Sequence, residues 1–472
     1  MRILVSIVGV VSIAWLVGCE TPGRSQNGGG PTPPVVEPAP QPSPPTPQPQ
    51  HPATQPTPPK PAPQPKPEPE PPAPSPTEPA PVSFTERFDG LPDFGNWKCD
   101  PVFADVNNDG NLDLLGTPRL GESTSVWLGD GKGHWKASSD GLKRQAAPCG
   151  GGVAVGDVNN DGKLDLAVAD HCHGVHVYLG DGTGKWRATT EELFPADVAA
   201  KGSLDEYKGA ESLALGDVNE DGNLDIVASG ADEGGGVQLY LGDGAGRTWR
   251  RVPDSNLPER GWANRTRLLD MNGDQHLDVV VTLHEGVRVF HGDGQGKFTR
   301  ASQGLPSPLT LGIYCGLDIG DVNGDGRPDL AVANWVDGPE VYLQNEDHSW
   351  QKVPDVFPAM RGGAFGIALG DVDGDGKLDL VTSGRMSGQE TGHVYGIFLL
   401  LGDGTGTFRN VATTLPTTGL AFTWGVTLTD WNKDGVPDLA AASGGLVATD
   451  PKRTRPVLPA RMLAWSLSRN SR

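Results

Sequence analysis

The sequence is poor in positive charge, in aromatic residues and in cysteine. Its 38 Lys and Arg residues stand against 59 Asp and Glu, so the formal net charge is −21 over 472 residues. This acidic balance argues against nucleic acid or an anionic membrane surface as the main partner and is compatible with cation binding. The sequence also has no nucleophile motif, phosphate-binding loop, dinucleotide fingerprint or zinc-protease motif. It therefore does not point to a common class of active site.

A long membrane-spanning run is also missing. The apolar stretch from Ile3 to Val17 is too short for a comfortable span. It leads to the tetrapeptide Leu-Val-Gly-Cys that ends at Cys19, which resembles the bacterial lipobox, where the Cys becomes the lipidated first residue. We expect residues 1–18 to be a lipoprotein signal peptide and Cys19 to carry lipid. The alternative is an ordinary signal peptide with an incidental Cys.

Proline is plentiful, with 44 residues, but it is concentrated in one early segment. Residues 19–82 combine Pro with Gln, Thr, Glu and Gly and contain almost no large apolar side chain, so they cannot bury a core. They are predicted to be a disordered, extended tether, which is either a semi-rigid stalk or a passive linker. The expected location is the bacterial cell envelope, at the outer membrane or cell surface, because Glu20 stands where many inner-membrane lipoproteins have Asp.

A repeat dominates the chain from residue 83 to residue 472. The segment Asp105 to Asp113 has the form D-x-N-x-D-G-x-x-D, and six further copies follow at intervals of 50 to 60 residues. Apolar stretches precede and follow each copy, which indicates strand–loop–strand units. Further along, most copies carry an Asp-Gly turn between apolar segments, as in Tyr178 to Trp186. That arrangement predicts a hairpin in each repeat.

A period of about fifty residues with four strand signals fits one blade of a β-propeller. We predict an all-β fold, a seven-bladed β-propeller over residues 83–472. The last repeat is one strand short, and Ser83 to Pro92 resembles Phe298 to Pro306. The N-terminal strand is therefore expected to complete the last blade and close the ring, which removes exposed sheet edges. An open-ended solenoid is the structural alternative.

The seven loops, each between two strands, resemble those of the FG-GAP or VCBS repeat family, which includes the propeller of integrin α subunits. The resemblance covers roughly residues 83 to 467. It implies a propeller whose loops bind calcium.

The residues of the loops support calcium independently. In the second loop Asp157, Asn159 and Asp161 alternate, so their side chains can converge, and Asp165 returns from the next strand and can bind through both oxygens. Calcium accepts several oxygen ligands in flexible geometry, whereas magnesium tends to keep its waters. The alternative, that these are merely good turns, does not explain Asp at the first, fifth and ninth positions of every copy. The predicted ligands are Asp105, Asn107, Asp109, Asp113, Asp157, Asn159, Asp161, Asp165, Asp217, Asn219, Asp221, Asp225, Asp270, Asn272, Asp274, Asp278, Asp321, Asn323, Asp325, Asp329, Asp371, Asp373, Asp375, Asp379, Asp430, Asn432, Asp434 and Asp438.

Two loops depart from the pattern. Gln275 replaces Gly in the fourth loop, which puts its turn geometry in doubt, and Asp373 replaces Asn in the sixth, which adds a charge. Up to seven calcium ions are expected. Their role is predicted to be mainly structural, because clustered carboxylates repel one another strongly without a cation.

Cysteine offers one candidate cross-link. Cys149 precedes the strand that enters the second loop and Cys172 follows the strand that leaves it. Both are expected at one end of one blade, so a disulfide between them is predicted for an exported protein. Cys99 and Cys315 belong to blades expected to lie far apart around the ring and are predicted to be unpaired.

His171 and His173 flank Cys172 and form the most metal-like cluster of nitrogen and sulfur ligands. It is either a zinc or copper site, for which no fourth ligand is visible, or a solvated loop with Cys172 in the disulfide.

Five aromatic residues lie just before strands that enter the loops. On a propeller these positions gather near the central opening, on the face away from the metals. There the rings either stack on sugars and grip a protein, or cap the blade ends as packing residues. They are Trp97, Trp262, Tyr314, Phe365 and Trp424.

The predicted function is a monomeric, non-enzymatic binding or adhesion module of the cell envelope. It displays one propeller face to a glycan or protein ligand and contacts the membrane only through its lipid anchor. The alternatives are a propeller enzyme acting on polysaccharide, as a lyase or hydrolase, and a structural role without a discrete ligand. Acid–base pairs facing each other across the central opening would favour the enzyme. Aromatic residues with few ionisable neighbours would favour binding.

Overall fold

The structure is a computed structural model that describes residues 82–93, 95–118, 124–142, 150–171, 173–189, 209–230, 235–306, 314–360, 363–387, 395–444 and 461–469. All of them belong to one unit of the chain, Pro72–Arg472. Within these ranges no helix is long and apolar enough to cross a membrane. The predicted signal peptide, the lipidated Cys19, nearly all of the tether and the predicted Cys149–Cys172 disulfide lie outside the described residues.

Seven antiparallel sheets of four strands each form the blades of a β-propeller. Strands are numbered β1 to β28 in chain order, and a short 3-10 helix, Pro358–Met360, precedes blade six. The innermost strands of blades one to seven are β2 (Trp97–Ala104), β6 (Gly150–Gly156), β10 (Ala210–Gly216), β14 (Ala263–Leu269), β18 (Tyr314–Gly320), β22 (Ile367–Gly370) and β26 (Thr423–Thr429). The second strands are β3 (Asp113–Pro118), β7 (Asp165–Asp170), β11 (Asp225–Gly230), β15 (Asp278–Leu283), β19 (Asp329–Asn334), β23 (Asp379–Gly384) and β27 (Asp438–Ser443).

The third and fourth strands complete each blade. The third strands are β4 (Ser125–Gly129), β8 (Gly174–Gly180), β12 (Val237–Gly242), β16 (Gly286–Gly292), β20 (Gly338–Gln344), β24 (Gly396–Gly402) and β28 (Met462–Arg469). The outermost strands are β5 (Trp135–Ala137), β9 (Trp186–Ala188), β13 (Trp249–Arg251), β17 (Phe298–Arg300), β21 (Trp350–Lys352), β25 (Phe408–Val411) and, in blade seven, β1 (Val82–Glu86).

The two ends of the domain meet in blade seven. Strand β1 pairs antiparallel with β28, from Val82 opposite Arg469 to Glu86 opposite Trp465. The innermost strand of blade seven, β26, packs against that of blade one, β2. The predicted closure by the N-terminal strand is therefore confirmed, and the open solenoid is excluded.

The core lies between the faces of neighbouring blades. The second strand of every blade is buried along its whole length. Both of its faces are covered by adjacent blades, which explains why its sequence is a short, nearly continuous apolar run. Val227 of blade three and Val281 of blade four, for example, share one apolar cluster and are both fully buried.

The connections divide between two faces of the ring. The seven D-x-N-x-D-G-x-x-D loops join first to second strands and lie on one face together with the hairpins between third and fourth strands; we call it the loop face. The first residues of the innermost strands lie on the opposite face, which we call the mouth face. Six innermost strands, all except β22, shift register near these first residues. Such bulges re-aim side chains.

Candidate functional site

The loops share one hydrogen-bonding scheme, shown by the second. Oδ1 and Oδ2 of Asp157 accept hydrogen bonds from the backbone N–H of Asp161 and Gly162, at 3.0 and 2.7 Å. Oδ1 of Asn159 accepts from the same Asp161 N–H at 2.9 Å, and Oδ1 of Asp161 accepts from Lys163 N–H at 3.0 Å. The backbone thus curls around the first, third and fifth side chains and holds their oxygens on one side of a tight turn.

The ninth residue has a second role that the sequence did not indicate. Asp165 is fully buried, and its two oxygens accept hydrogen bonds from Val158 N–H at 3.0 Å and Gly180 N–H at 2.8 Å. It therefore ties the loop to the end of the third strand. The same pair of bonds occurs at Asp113, Asp225, Asp278, Asp329 and Asp379.

Burial makes the charged form of this carboxylate unfavourable. It raises the pKa of Asp165 to about 6, although the Gly180 and Val158 N–H groups oppose the shift, and Asp161 and Asp157 add like-charge repulsion. The same cause raises the pKa of Asp113, Asp225, Asp329 and Asp379 to about 6. A cation beside the loop would offset this penalty.

A glycine ends the third strand because the loop approaches it closely. A Cβ on Gly180 would lie 2.2 Å from the carbonyl oxygen of Leu164, the residue before Asp165. The first Gly of the Leu-Gly-Asp-Gly signature is therefore required by packing, and the second, Gly182, by its positive φ of 74°.

Replacing Asp165 with Ala is expected to lower the free energy of unfolding by about 3 kcal/mol, because two buried backbone N–H groups lose their acceptor. Asp165→Asn keeps one acceptor oxygen and should lose less. Urea unfolding of both variants, in calcium and in chelator, measures the difference. The hydrogen-bond role would be contradicted if both variants lost the same stability and lost it only in the presence of calcium. That result would mean that the carboxylate acts through its charge alone.

The sixth and seventh loops carry the strongest structural indication of a cation. Ligand oxygens of Asp371, Asp373 and Asp375 lie within 4.8 Å of one another. In the seventh loop, Oδ2 of Asp438 is buried and has no hydrogen-bond partner among the described residues, and burial raises its pKa to about 7. Clustered carboxylates and an unsatisfied buried oxygen are the donor set that a hard divalent cation takes. The loop residues therefore fit calcium.

The fourth loop keeps the common geometry despite its substitution. Gln275 adopts φ of +73°, close to the +80° of Gly162, and its N–H donates to Oδ2 of Asp270 at 2.8 Å. A left-handed conformation is unfavourable for a residue with a side chain.

We therefore expect Gln275→Gly to stabilise the protein by about 1 kcal/mol. The check is the urea midpoint, with Gly162→Gln as the reciprocal variant, which should lose a similar amount. Unchanged stability in both variants would show that this turn carries no strain.

The five aromatic residues predicted to form a ligand face fall into two groups that differ in solvent exposure. Trp97, Tyr314 and Phe365 are at most 1% exposed, so in this structure they pack within the blades and do not present a ring to solvent. Trp262 and Trp424 are half-buried. The innermost-strand bulges decide part of this pattern, because Trp424 is itself the extra residue between Thr423 and Gly425.

Sequence reasoning missed an ionic network that crosses the central opening. Nζ of Lys98, in blade one, lies 2.6 Å from Oε2 of Glu211, in blade three, and Nδ1 of His171 lies 2.7 Å from the same oxygen. Burial acts to raise the pKa of Glu211, but Lys98 and then His171 outweigh it and hold the pKa well below its usual range. These contacts favour the ionised form of Glu211, which braces blades that are not neighbours.

A second ion-pair group lies beside the first. Asp100 of blade one accepts hydrogen bonds from Nε of Arg265 at 3.0 Å and from a terminal nitrogen of Arg267 at 2.8 Å, both in blade four. Arg265 also donates to the carbonyl oxygen of Trp424 in blade seven at 3.1 Å. Burial opposes ionisation of Asp100, yet the two guanidinium groups hold its pKa below the usual range.

Two buried thiols and a histidine pair complete the sulfur and imidazole candidates of the sequence. Cys99 lies in blade one and Cys315 in blade five, neither is in a disulfide, and burial raises the pKa of both, to about 12 for Cys315. Arg265 acts to lower both pKa values against the effect of burial. His173 pairs with Asp170 at 3.1 Å. Within the described residues no metal-binding group includes a histidine.

Comparisons with solved structures find distant similarities. A search among solved structures finds an Agrocybe aegerita lectin that recognises terminal N-acetylglucosamine (21% identity, 69% of this chain and 81% of that one, TM-score 0.44). It also finds BBS1N in complex with ARL6DN, at 10% identity over 82% of this chain and 98% of that one, with a TM-score of 0.48. Saccharomyces cerevisiae Sqt1 matches at 11% identity over 76% of this chain and 83% of that one, with a TM-score of 0.46. No curated protein matches the chain.

The family comparison is decisive. The FG-GAP-like repeat matches residues 105–168, 157–228, 217–281, 270–332, 321–382 and 389–441. Each of the first five matches begins at one D-x-N-x-D-G-x-x-D loop and continues through the next, and the sixth includes the seventh loop. Together they cover well over half of the sequence, so the chain belongs to the family of proteins built from FG-GAP-like repeats.

Proposed function

We propose that this protein is a calcium-stabilised binding module of the bacterial cell envelope, which presents its mouth face to a glycan or protein ligand. Calcium binding is supported by one observation: the same set of oxygen donors is repeated seven times on the loop face. In each loop the residues at positions one, three, five and nine would hold the ion, as Asp157, Asn159, Asp161 and Asp165 would in the second. The bound ion supplies positive charge that offsets carboxylate repulsion and burial.

The chemistry of the mouth face favours binding over catalysis. Acid–base pairs do face each other across the opening, which is the arrangement an enzyme would need. However, Glu211 accepts hydrogen bonds from Lys98 and His171, Asp100 accepts them from Arg265 and Arg267, and the pKa of each carboxyl group is held below its usual range. A carboxylate locked in its ionised form cannot donate a proton at neutral pH. The pairs therefore serve as braces, while the half-buried Trp262 and Trp424 remain for contact with a ligand.

The direct test is elemental analysis of the purified protein after dialysis against buffer with calcium and then against buffer without it. We expect close to seven calcium ions per chain and no bound zinc or copper. Replacing Asp161 with Asn should reduce the count by one, whereas Asp181→Asn, in the neighbouring hairpin on the same face, should leave it unchanged. A calcium-free protein that is fully folded would contradict the proposal.

Attachment to the membrane rests on the sequence around Cys19. Replacing Cys19 with Ser is expected to move the protein from the membrane fraction to the soluble fraction and to abolish incorporation of radiolabelled palmitate, because the thiol that accepts the lipid is gone. Cys99→Ser, at a buried thiol, is the matched control and should change neither property. Membrane retention of the Cys19 variant would show that another segment anchors the chain.

A further inference from the structure

The mouth face carries a row of aromatic and ion-paired side chains that the calcium loops do not explain. It draws on blades seven, one, three, two and four, so only the closed ring brings it together. Its members in order are Trp424, Lys98, Glu211, His171, Trp262 and His284. None of them belongs to the predicted calcium ligands.

Contacts link each member to the next. Nζ of Lys98 lies 5.9 Å from the ring centroid of Trp424 and 2.6 Å from Oε2 of Glu211. The ring of His171, which bonds the same carboxylate, lies 5.9 Å from that of Trp262. A polar centre, Glu211 with His171, thus lies between two indole rings, and the His171 side chain is 24% exposed.

The two indoles are held in fixed planes. Trp262 stacks on His284 with ring centroids 4.5 Å apart and 24° between planes, and Trp424 stacks on Phe422 at 5.5 Å and 20°. Both indoles stay partly exposed. A ring already fixed by its neighbour loses little conformational freedom when a ligand binds.

The charges in the row are paired. Lys98 forms an ion pair with Glu211, and beside the row Arg265 and Arg267 both pair with Asp100. An anionic ligand would find no unpaired cation in the row and would also meet the net charge of −21 of the chain. A cationic ligand would find no unpaired carboxylate in the row. The site therefore suits a ligand that is polar but uncharged, with apolar faces.

We propose that this row binds a neutral oligosaccharide, whose sugar faces lie on Trp262 and Trp424 and whose hydroxyl groups bond the partly exposed His171 between them. This inference rests on the proposed function and names the ligand class for the same face. Two separated rings with a polar centre between them fit a chain of sugars better than a single one.

The test uses the full-length, calcium-loaded protein on immobilised neutral oligosaccharides of hexoses and N-acetylhexosamines, with uronic-acid oligosaccharides of the same lengths as the charged set. We expect binding to the neutral set, and a loss of affinity of roughly tenfold or more for Trp262→Ala and for Trp424→Ala. Trp249→Ala, at a half-buried Trp on the outermost strand of blade three, is the matched control and should bind as the unmodified protein does. A thermal melt of each variant confirms that it is folded.

Three results would overturn the inference: no binding to any neutral oligosaccharide, preference for the uronic-acid set, or unchanged binding after both Trp substitutions in folded variants. Each leaves the calcium-stabilised module intact, because a protein ligand at the same face would still be open to test. Absence of calcium from the folded protein would instead contradict the proposed function, whatever the oligosaccharide result.

Discussion

Excess chelator is expected to lower the thermal unfolding midpoint of the protein by tens of degrees. Each loop concentrates three or four Asp side chains, and the ninth is buried with a raised pKa, as for Asp165 and Asp438. A site at free calcium about 1,000-fold above its Kd contributes about 4 kcal/mol, and in a large domain about 1 kcal/mol moves the midpoint by about 2 °C. Several emptied sites therefore account for a shift of this size.

Calcium added back in excess of the chelator should restore the midpoint, and magnesium at the same free concentration should not, because it gives up its waters reluctantly. Asp181→Asn is again the matched control. Its carboxylate accepts hydrogen bonds within the hairpin, from Thr183 N–H at 2.8 Å, and lies outside the predicted ligand set. Its chelator-induced shift should equal that of the unmodified protein. An unchanged midpoint in a sample shown to be free of calcium would refute the structural role of the ion.

Replacing Glu211 with Gln is expected to lower the free energy of unfolding by about 3–5 kcal/mol, the range for breaking a buried ion pair. The side chain of Lys98 is 3% exposed, and the variant leaves its charge without the carboxylate 2.6 Å away. The effect should be global, because the pair joins blades one and three across the central opening. Urea unfolding followed by tryptophan fluorescence measures the loss.

The double variant Lys98→Met, Glu211→Gln is the control for the buried charge. Replacing both partners with uncharged side chains of similar size is often nearly neutral, so most of the lost stability should return. A double variant as unstable as Glu211→Gln alone would mean that the loss does not come from the uncompensated charge of Lys98.

The same pair sets a pH dependence with a definite sign. The folded-state pKa of Glu211 lies well below its value in the unfolded chain, where it is about 4.3. The stability that the ionised form contributes is therefore present above about pH 4.3 and is lost as the pH falls toward the folded-state pKa. Below pH 5 the unmodified protein should lose more stability than the double variant does. Parallel curves would show that folding does not lower the pKa of Glu211.

The sequence predicted the features that depend on near neighbours in the chain. The loop motif, its spacing and the flanking apolar runs are local patterns, and they led to seven blades. Closure by the N-terminal strand also followed, because Ser83 to Pro92 repeats the residues of a fourth strand. The same patterns led to the nine-residue loops as the candidate metal sites. They could not show that Asp165 also binds Gly180 N–H, since that contact depends on how the third strand returns past the loop.

Which side chains meet at the mouth face depends on the tertiary structure alone. Lys98 and Glu211 are separated by 113 positions, and Asp100 and Arg265 by 165, so no periodicity in the sequence relates them. They meet because the ring closes and because bulges at the start of the innermost strands re-aim their side chains across the opening. The same geometry buries Trp97 and leaves Trp262 half-exposed. Local chemistry determined the blades and their loops, and ring closure determined which side chains meet at the centre.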